Sequence, residues 1–316
     1  MNETYFHSVR LDEDKCKGCV SCLKRCPTNA IRVRHGKAYI ISERCVDCGE
    51  CIRICPHHAK YAERYSLNEI LDYKYRIAVP APSLYGQFNN LENVDYVLTG
   101  LKKMGFHTVV EAALGADMVA MSEAKELTEK GFLTSSCCPA FVQYIKSSFP
   151  DLLPYVSHNL SPMAAISKYI KDTTENAKTI FIGPCTAKKA EAQLDSVKPY
   201  VDSVLTFEEL QALFDSRDID ITALEEDVLD NASYFGRICF SGKTDLIKKS
   251  FAEGFGPFGN SAFRIDPGFF KSGKKNFGGH SFDSDKIFFS GFCFAFFFSG
   301  NVRNKNVFYV CFRNGR

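Results

Sequence analysis

The chain has 316 residues, of which 45% are hydrophobic and 24% charged, an ordinary globular composition with room for about two domains. Its 39 Lys and Arg residues and 37 Asp and Glu residues leave a net charge of +2, which excludes the strongly basic surface of a nucleic-acid-binding protein. The sequence has no run of about 18 apolar residues for a membrane span and no apolar signal segment at its N-terminus, so it predicts a cytoplasmic protein without a membrane partner.

Eight of the 14 cysteines lie between residues 16 and 55, in two runs with the same spacing. Both runs read C-x2-C-x2-C-x3-C-P, the first from Cys16 and the second from Cys45. Three thiolates at such short intervals can hold three corners of an iron–sulfur cube if the loop curls tightly, and Gly18 and Gly49 suit such a loop. In this pattern the fourth cysteine of each run serves the other cluster. The spacing therefore predicts two 4Fe–4S clusters, one held by Cys16, Cys19, Cys22 and Cys55, the other by Cys45, Cys48, Cys51 and Cys26.

Disulfides and zinc are the alternatives for these eight cysteines. Disulfides fit poorly in a reducing cytosol. Zinc sites commonly use C-x2-C pairs far apart in the chain, rather than two runs of four cysteines each closed by proline. The segment over about residues 7–62 resembles the bacterial dicluster ferredoxins, and this resemblance implies a relay of single electrons between two neighbouring clusters.

Strands and helices alternate along the rest of the chain. Short strands are predicted before Cys16 and over residues 34–41, flanking the clusters. Further strands are predicted over 75–83, where a strand runs into a proline-rich loop, over 108–110, near 133 and over 179–182. Helices are predicted over 61–75, 93–106, 117–130 (closed by Gly131), 141–149 and from 162, and a capping box is predicted at 206–209. This alternation predicts an α/β domain whose reactive loops follow the strand ends.

Three motifs in this region occur together and in order. They are Thr134-Ser-Ser-Cys137-Cys138-Pro-Ala-Phe141, then Ser157 with Ser161-Pro162, then Gly183-Pro-Cys185-Thr-Ala-Lys188-Lys-Ala-Glu191. With these motifs the chain resembles the large subunit of iron-iron (FeFe) hydrogenases over about residues 77–236, and the dicluster module is a common companion in that family. The resemblance implies an anaerobe's oxidoreductase that reduces protons to hydrogen or runs the reverse. Its active site is a 4Fe–4S cube bridged to a two-iron unit that bears CO, cyanide and a dithiolate.

The resemblance also implies which residues hold this active site. Cys138 and Cys185 look like two of the four ligands of the cube. Lys188 and Ser83 match groups that hydrogen-bond the cyanides, and a lysine suits an anionic unit because it is a point charge. A solvated loop is the alternative for Lys188.

A proton path is implied in the same way. Cys137 looks like the thiol that passes protons to the two-iron unit, and Glu123, Glu126 and Ser157 fall where the family has its path to solvent. Proton delivery needs titratable groups within one hydrogen bond of one another. The alternatives are a solvated helix face for the two glutamates and a simple helix cap for Ser157.

The family's third motif is not in this sequence. That motif is a C-terminal C-x3-C that supplies the other two cube ligands, whereas Cys239, Cys293 and Cys311 are the cysteines that follow Cys185 and no two of them are four apart. A cube held by two thiolates is under-ligated. Gly183 and Phe141 also stand where many family members have methionine and tryptophan.

The composition changes in the last part of the chain. Residues 231–316 hold 19 of the 28 phenylalanines and one leucine, Leu246, and no helical or alternating period orders them. We interpret this as a shift of the reading frame near Gly236; the alternative is a genuine but unusual tail. The predicted organisation is thus an α+β ferredoxin-like dicluster module over residues 1–66, an incomplete α/β FeFe-hydrogenase-like domain over 67–235, and an irregular tail over 236–316.

Two functions are compatible with these features. The first is an FeFe hydrogenase-like oxidoreductase, which exchanges electrons with a ferredoxin or another redox subunit and has its chemistry between the loops of Cys138 and Cys185. The second is a non-catalytic 4Fe–4S electron carrier or redox sensor with a vestigial α/β domain. The missing cysteine pair favours the second function for the chain as written, and the resemblance favours the first for its family.

Overall fold

A computed structural model gives the fold of residues 6–63, 65, 67–87 and 95–224, together with the backbone of four short strands between residues 276 and 311. The proposed frame shift at Gly236 lies outside the described residues, as do the first two residues of the predicted helix over 93–106.

The N-terminal module is built from two similar halves. Its elements are β1 (Val9–Leu11), α1 (Ser21–Arg25), β2 (Ile31–Arg34), β3 (Lys37–Ile40), α2 (Glu50–Arg53) and β4 (Lys60–Ala62). The strands form two antiparallel pairs, β1 with β4 and β2 with β3. The strand predicted over 34–41 is in fact the end of β2, a tight turn and β3. Each short helix carries the third cysteine of its run, Cys22 on α1 and Cys51 on α2, and both of these residues are buried.

The connection between the two modules differs from the prediction. A helix was expected over 61–75, but the chain first completes β4 and forms a helix only at α3 (Leu67–Asp72). Residues 60–62 pair with β1, and this pairing in the tertiary structure overrides a polar, helix-like local pattern.

The second module is an α/β domain. Its elements are β5 (Arg76–Pro80), α4 (Asp95–Lys103), β6 (Thr108–Val109), α5 (Ala112–Lys130), β7 (Phe132–Thr134), α6 (Pro139–Ser148), α7 (Pro162–Thr173), β8 (Lys178–Gly183), α8 (Ala187–Glu191), β9 (Ser203–Thr206) and α9 (Phe207–Ser216). A four-stranded sheet in the order β6-β5-β8-β9 is parallel throughout, which confirms the predicted α/β character. Its central strands are buried after their first residues, as expected when helices cover both faces of a parallel sheet.

The helix boundaries predicted from capping residues are confirmed. Ser161 Oγ accepts a hydrogen bond from the backbone N–H of Ala164 at the start of α7, Gly131 ends α5 with a φ of 76°, and the capping box between Thr206 and Glu209 opens α9. Helix α5 starts five residues earlier than predicted, because three of the four residues of its first turn, Ala112, Ala113 and Gly115, are small and buried and give no amphipathic signal.

The predicted irregular tail contains regular backbone. The four short strands are β10 (Asn276–Phe277), β11 (His280–Ser281), β12 (Cys293–Ser299) and β13 (Lys305–Cys311). Strand β12 pairs antiparallel with β13 and with β7 of the α/β domain. The expectation of an irregular tail was therefore wrong for these segments. Aromatic and β-branched residues favour strands even where no alternation marks a buried face.

Candidate functional site

The first predicted set of cysteines lines one cavity. Cys16, Cys19, Cys22 and Cys55 all line this cavity. Cys16 and Cys22 are buried, whereas Cys19 is exposed and its Sγ lies 3.5 Å from Ser21 Oγ. The hydrogen bond between the Cys19 and Ser21 side chains lowers the pKa of the Cys19 thiol, while burial raises the pKa of Cys22.

The second predicted set lines a second cavity. Cys26, Cys45, Cys48 and Cys51 all line this second cavity. Burial raises the pKa of Cys45 and of Cys48 to about 12, and that of Cys51 in the same direction. A thiol with so high a pKa stays protonated at neutral pH unless a bound cation stabilises its thiolate.

The residues of both cavities fit 4Fe–4S clusters. Each cavity has four thiols, and all eight are free cysteines, so the disulfide alternative does not hold for them. Backbone N–H groups already point at the sulfurs: Ala30 N lies 3.2 Å from Cys26 Sγ and Ala59 N lies 3.3 Å from Cys55 Sγ. Such donors stabilise thiolates and help to set cluster potentials.

The second cavity lies against the two cysteine loops of the α/β domain. Side chains of both modules form one apolar cluster that includes Val46, Cys48, Cys138 and Cys185. Cys48 and Cys185 are close enough that a negative charge on Cys185 raises the pKa of Cys48.

Hydrogen bonds fix this contact between the modules. Thr186 Oγ1 donates to the backbone oxygen of Asp47 at 2.7 Å, and Ser8 Oγ donates to the backbone oxygen of Thr186 at 2.9 Å. The carboxylate of Asp47 is fully buried and accepts hydrogen bonds from the backbone N–H groups of Ser8 and Val9. Asp47 lies between Cys45 and Cys48, and Thr186 follows Cys185, so the network joins a cysteine loop of the N-terminal module to the Cys185 loop of the α/β domain.

The expected active-site residues of the α/β domain lie in loops that follow strands. Ser83 is half-buried in the turn after β5, Cys138 caps α6 after β7, and Cys185 follows β8. Because β5 and β8 are parallel neighbours, Ser83 and Cys185 lie at the same edge of the sheet. Burial, then the neighbouring Cys185, raises the pKa of Cys138 well above its usual value.

Lys188 is not in a solvated loop. Its side chain is buried on α8, and its Nζ lies 2.7 Å from Glu191 Oε2. Its positive charge opposes the raised pKa of both Cys138 and Cys185. In this structure the ammonium therefore forms a salt bridge within its own helix, beside the two cysteines.

The residues of the predicted proton path form a hydrogen-bonded series. Ser135 Oγ accepts from the backbone N–H of Cys137 at 3.3 Å and donates to Glu123 Oε1 at 2.9 Å. Ser157 Oγ donates to Glu126 Oε2 at 3.1 Å. Ser157 also lies close enough to Glu123 to lower its pKa, so the two groups of contacts adjoin between Cys137 and Glu126.

Both alternatives for these residues can be tested against their surroundings. Glu123 is only 1% exposed, which excludes a solvated helix face for it. Ser157 does not cap α7, because Ser161 does so. Glu126 is partly exposed and binds Lys130 Nζ at 2.7 Å.

The pKa values of the two glutamates are shifted in opposite directions. Burial is the main cause that raises the pKa of Glu123, against the hydrogen bonds from Ser135 and Ser157. Partial burial acts in the same direction on Glu126, but hydrogen bonds from Lys130 and from the backbone N–H of His158 outweigh it and lower the pKa.

The described side chains do not complete a four-thiolate site in the α/β domain. Besides Cys137, they bring Cys138 and Cys185 together, and the nearby Cys48 already belongs to the second cavity. These residues do not fit a bridged six-iron centre.

Sequence reasoning missed Ser135, Asp47 and Thr186. Each of these residues is polar and lies within two positions of a cysteine assigned a role, and this is the signal that could have found them. Their contacts are distant in sequence, 139 residues apart for Thr186 and Asp47, so spacing alone could not pair them.

Two family profiles match the chain. The profile described as "4Fe-4S dicluster domain" matches residues 8–56. The profile described as "Iron only hydrogenase large subunit, C-terminal domain" matches residues 74–252, more than half of the chain. The chain belongs to the iron-only hydrogenase large subunit family. The second match extends past Gly236.

Members of two functional classes are similar to this chain. A periplasmic [Fe] hydrogenase large subunit from Nitratidesulfovibrio vulgaris is 32% identical over 259 residues, which are 71% of this chain and 62% of that protein. A cytosolic Fe-S cluster assembly factor NAR1 from Botryotinia fuckeliana is 34% identical over 142 residues, 38% of this chain and 25% of that protein. The solved apo [FeFe]-hydrogenase HydA1 from Chlamydomonas reinhardtii has 28% identity and a TM-score of 0.44, covering 50% of this chain and 47% of its own. The chain thus spans less than two thirds of the length of each.

The helices within the described residues were also checked against the dimensions of a bilayer. None of them combines the length and the apolar composition that a membrane-spanning helix requires.

Proposed function

We propose that this iron–sulfur protein transfers single electrons between a redox partner and the pocket of Cys138 and Cys185, through clusters held by the two cysteine sets. A 4Fe–4S cluster accepts and donates one electron at a time. The observation that carries the proposal is that eight thiols, which the sequence pairs across two runs, line two separate cavities in those sets of four.

The burial of the thiols supports a direction from the surface to the interior. Cys19 of the first set is exposed, so a partner such as a ferredoxin or another redox subunit can approach that cavity. The second cavity lies against Cys185 of the α/β domain. Asp47 and Thr186 hold the two loops at a fixed separation through the 2.7 Å hydrogen bond between them.

Iron content after anaerobic reconstitution of the full chain tests this function. We expect about eight irons per chain, as two cubes require, and an EPR signal on reduction. Cys51→Ser should lose a large part of this iron because it removes a buried ligand. Cys137→Ser is the matched control, since Cys137 lies next to the second cavity but outside both sets, and it should keep all the iron. A colourless chain, or one that binds zinc, would contradict the proposal.

A second candidate function is the hydrogen chemistry of the family. One observation favours it: Ser135 joins the backbone of Cys137 to the buried Glu123, and the neighbouring Ser157 binds the partly exposed carboxylate of Glu126. Proton delivery by positioned groups typically contributes 10²- to 10⁴-fold to a rate. The relatives named as cluster assembly factors show that membership of this family does not by itself assign such chemistry.

Infrared spectroscopy separates the two candidates. The full chain is produced without oxygen in a host that carries the maturation proteins for the two-iron unit. CO and cyanide bands, with more than about eight irons, would support the hydrogen chemistry. About eight irons without such bands would assign the chain to electron transfer or redox sensing.

A cytoplasmic location is a further part of this proposal. One relative is named periplasmic and another is named cytosolic.

A further inference from the structure

A buried lysine lies beside the clusters without a hydrogen-bond partner. Lys60, the first residue of β4, is 3% exposed, and its Nζ has no partner among the described residues. A buried ammonium without a compensating charge is costly, and it is tolerated only where something neutralises it. The protein atoms described do not supply that compensation.

The internal repeat shows that this position does not require a lysine. Lys60 lies five residues after Cys55, and Ile31 lies five residues after Cys26. The two sites have the same local structure, because the residue before each donates its backbone N–H to the sulfur of that cysteine. Ile31 is also 3% exposed. One half of the module therefore has an apolar side chain where the other half has a charge.

The Lys60 ammonium lies near both sets of thiols. Its side chain lines the first cavity but not the second. Its charge nevertheless favours the thiolate of Cys22, in the first set, and that of Cys51, in the second. A cube with four thiolates is an anion, and it gains one more negative charge when it is reduced. A cation at this position thus stabilises the reduced form more than the oxidised form.

We propose that Lys60 is the counter-charge of the two clusters and raises the reduction potential of both, that of the first cluster more than that of the second. This inference rests on the cluster assignment proposed above. The charge separates the potentials of two otherwise similar halves, and so it sets on which cluster an electron resides.

Redox titration of the reconstituted full chain, followed by EPR, tests this role. Lys60→Met keeps the length of the side chain and removes the charge. At a fixed potential near the wild-type midpoint, we expect the ratio of oxidised to reduced first cluster to rise at least tenfold, which is about 59 mV for a one-electron couple. The second cluster should shift in the same direction by less.

Lys17→Met is the matched control. Lys17 also lines the first cavity but is exposed. Lys17→Met therefore removes the same formal charge from a site that water screens, and the ratio of oxidised to reduced first cluster should change less than about twofold. Lys60→Arg retains the charge and should behave like the wild type. Two clusters with unchanged potentials in Lys60→Met would overturn the role of Lys60 and leave the proposed function intact. A wild-type chain without iron would overturn the proposed function itself.

If Lys60→Met fails to take up iron, the iron content of a second neutral variant still tests the role of the charge. Iron loss in both Lys60→Met and Lys60→Gln, with retention in Lys60→Arg, would support the counter-charge, because charge is what separates the variants. Iron loss in all three would overturn it, since packing would then be the cause.

Discussion

Glu123 and Glu126 lie one turn apart on α5, yet their surroundings shift their pKa values in opposite directions. Glu123 is closed off from water and its hydroxyl partners do not compensate for its burial, so its pKa is raised. Glu126 has a lysine at 2.7 Å and a backbone N–H donor, and its pKa is lowered. Glu123 thus releases its proton at a higher pH than an ordinary glutamate does, and Glu126 at a lower pH.

Replacing each glutamate by glutamine should change the pH dependence of stability in opposite directions. A raised pKa means that Glu123 contributes stability below its unfolded pKa of about 4.5, and this contribution is lost as the pH rises through the folded value. The advantage of the wild type over Glu123→Gln should therefore shrink as the pH rises. Urea unfolding without oxygen at several pH values between 4 and 8 measures the difference.

Glu126→Gln serves as the comparison in the same series. Because the pKa of Glu126 is lowered, its contribution is present above the unfolded value and is lost as the pH falls through the folded value. The advantage of the wild type over Glu126→Gln should shrink as the pH falls. Parallel pH dependence of the two variants would contradict the opposite pKa shifts of these groups.

At the scale of elements, the start of α2 and the loop of Thr186 come into close contact. Gly49 has a φ of 76°, and a Cβ added there would lie 3.1 Å from Thr186 Oγ1. The same hydroxyl makes the hydrogen bond to Asp47. A side chain at Gly49 would therefore push Thr186 away by a few tenths of an ångström.

Gly49→Ala should weaken the contact between the modules more than Gly36→Ala does. Both glycines have positive φ, 76° and 72°, so both variants carry a similar backbone strain. An added Cβ at Gly36 meets nothing within 4 Å, whereas the one at Gly49 pushes against Thr186. We expect faster amide hydrogen exchange in the loop of residues 184–188 for Gly49→Ala. Equal exchange in the two variants would show that strain, and not the contact, controls this loop.

Helices and strands that carry a local sequence signal, such as a capping residue or a buried run, were predicted correctly. Capping residues located the starts of α7 and α9 and the end of α5, and alternation with buried runs located the parallel strands. The first turn of α5 was missed because small buried residues have no period. The helix expected over 61–75 was wrong in part because β1 pairs with residues 60–62, a contact that no local pattern records.

For the whole molecule, the cysteine spacing predicted which thiols share a cavity but not what those cavities adjoin. The crossed sets follow from a repeat within 40 residues of sequence. The position of the second cavity against Cys138 and Cys185 follows from docking of two modules, through contacts such as Lys189 Nζ to the backbone oxygen of Glu63 at 2.7 Å. The burial of Lys60 beside the first cavity could not be predicted either, since the counter-charge that we propose for it is not part of the polypeptide.

The exposure of Cys19 also determines how this protein is damaged. Among the eight thiols assigned to the clusters, Cys19 is the one that is exposed, so oxidants reach the first cavity there first. A sample opened to air should bleach in two stages, with the cluster of the first cavity degrading before that of the second. Absorbance and released iron, followed together, would record the order, and the half with the second cluster would outlast the other as a partly functional remnant.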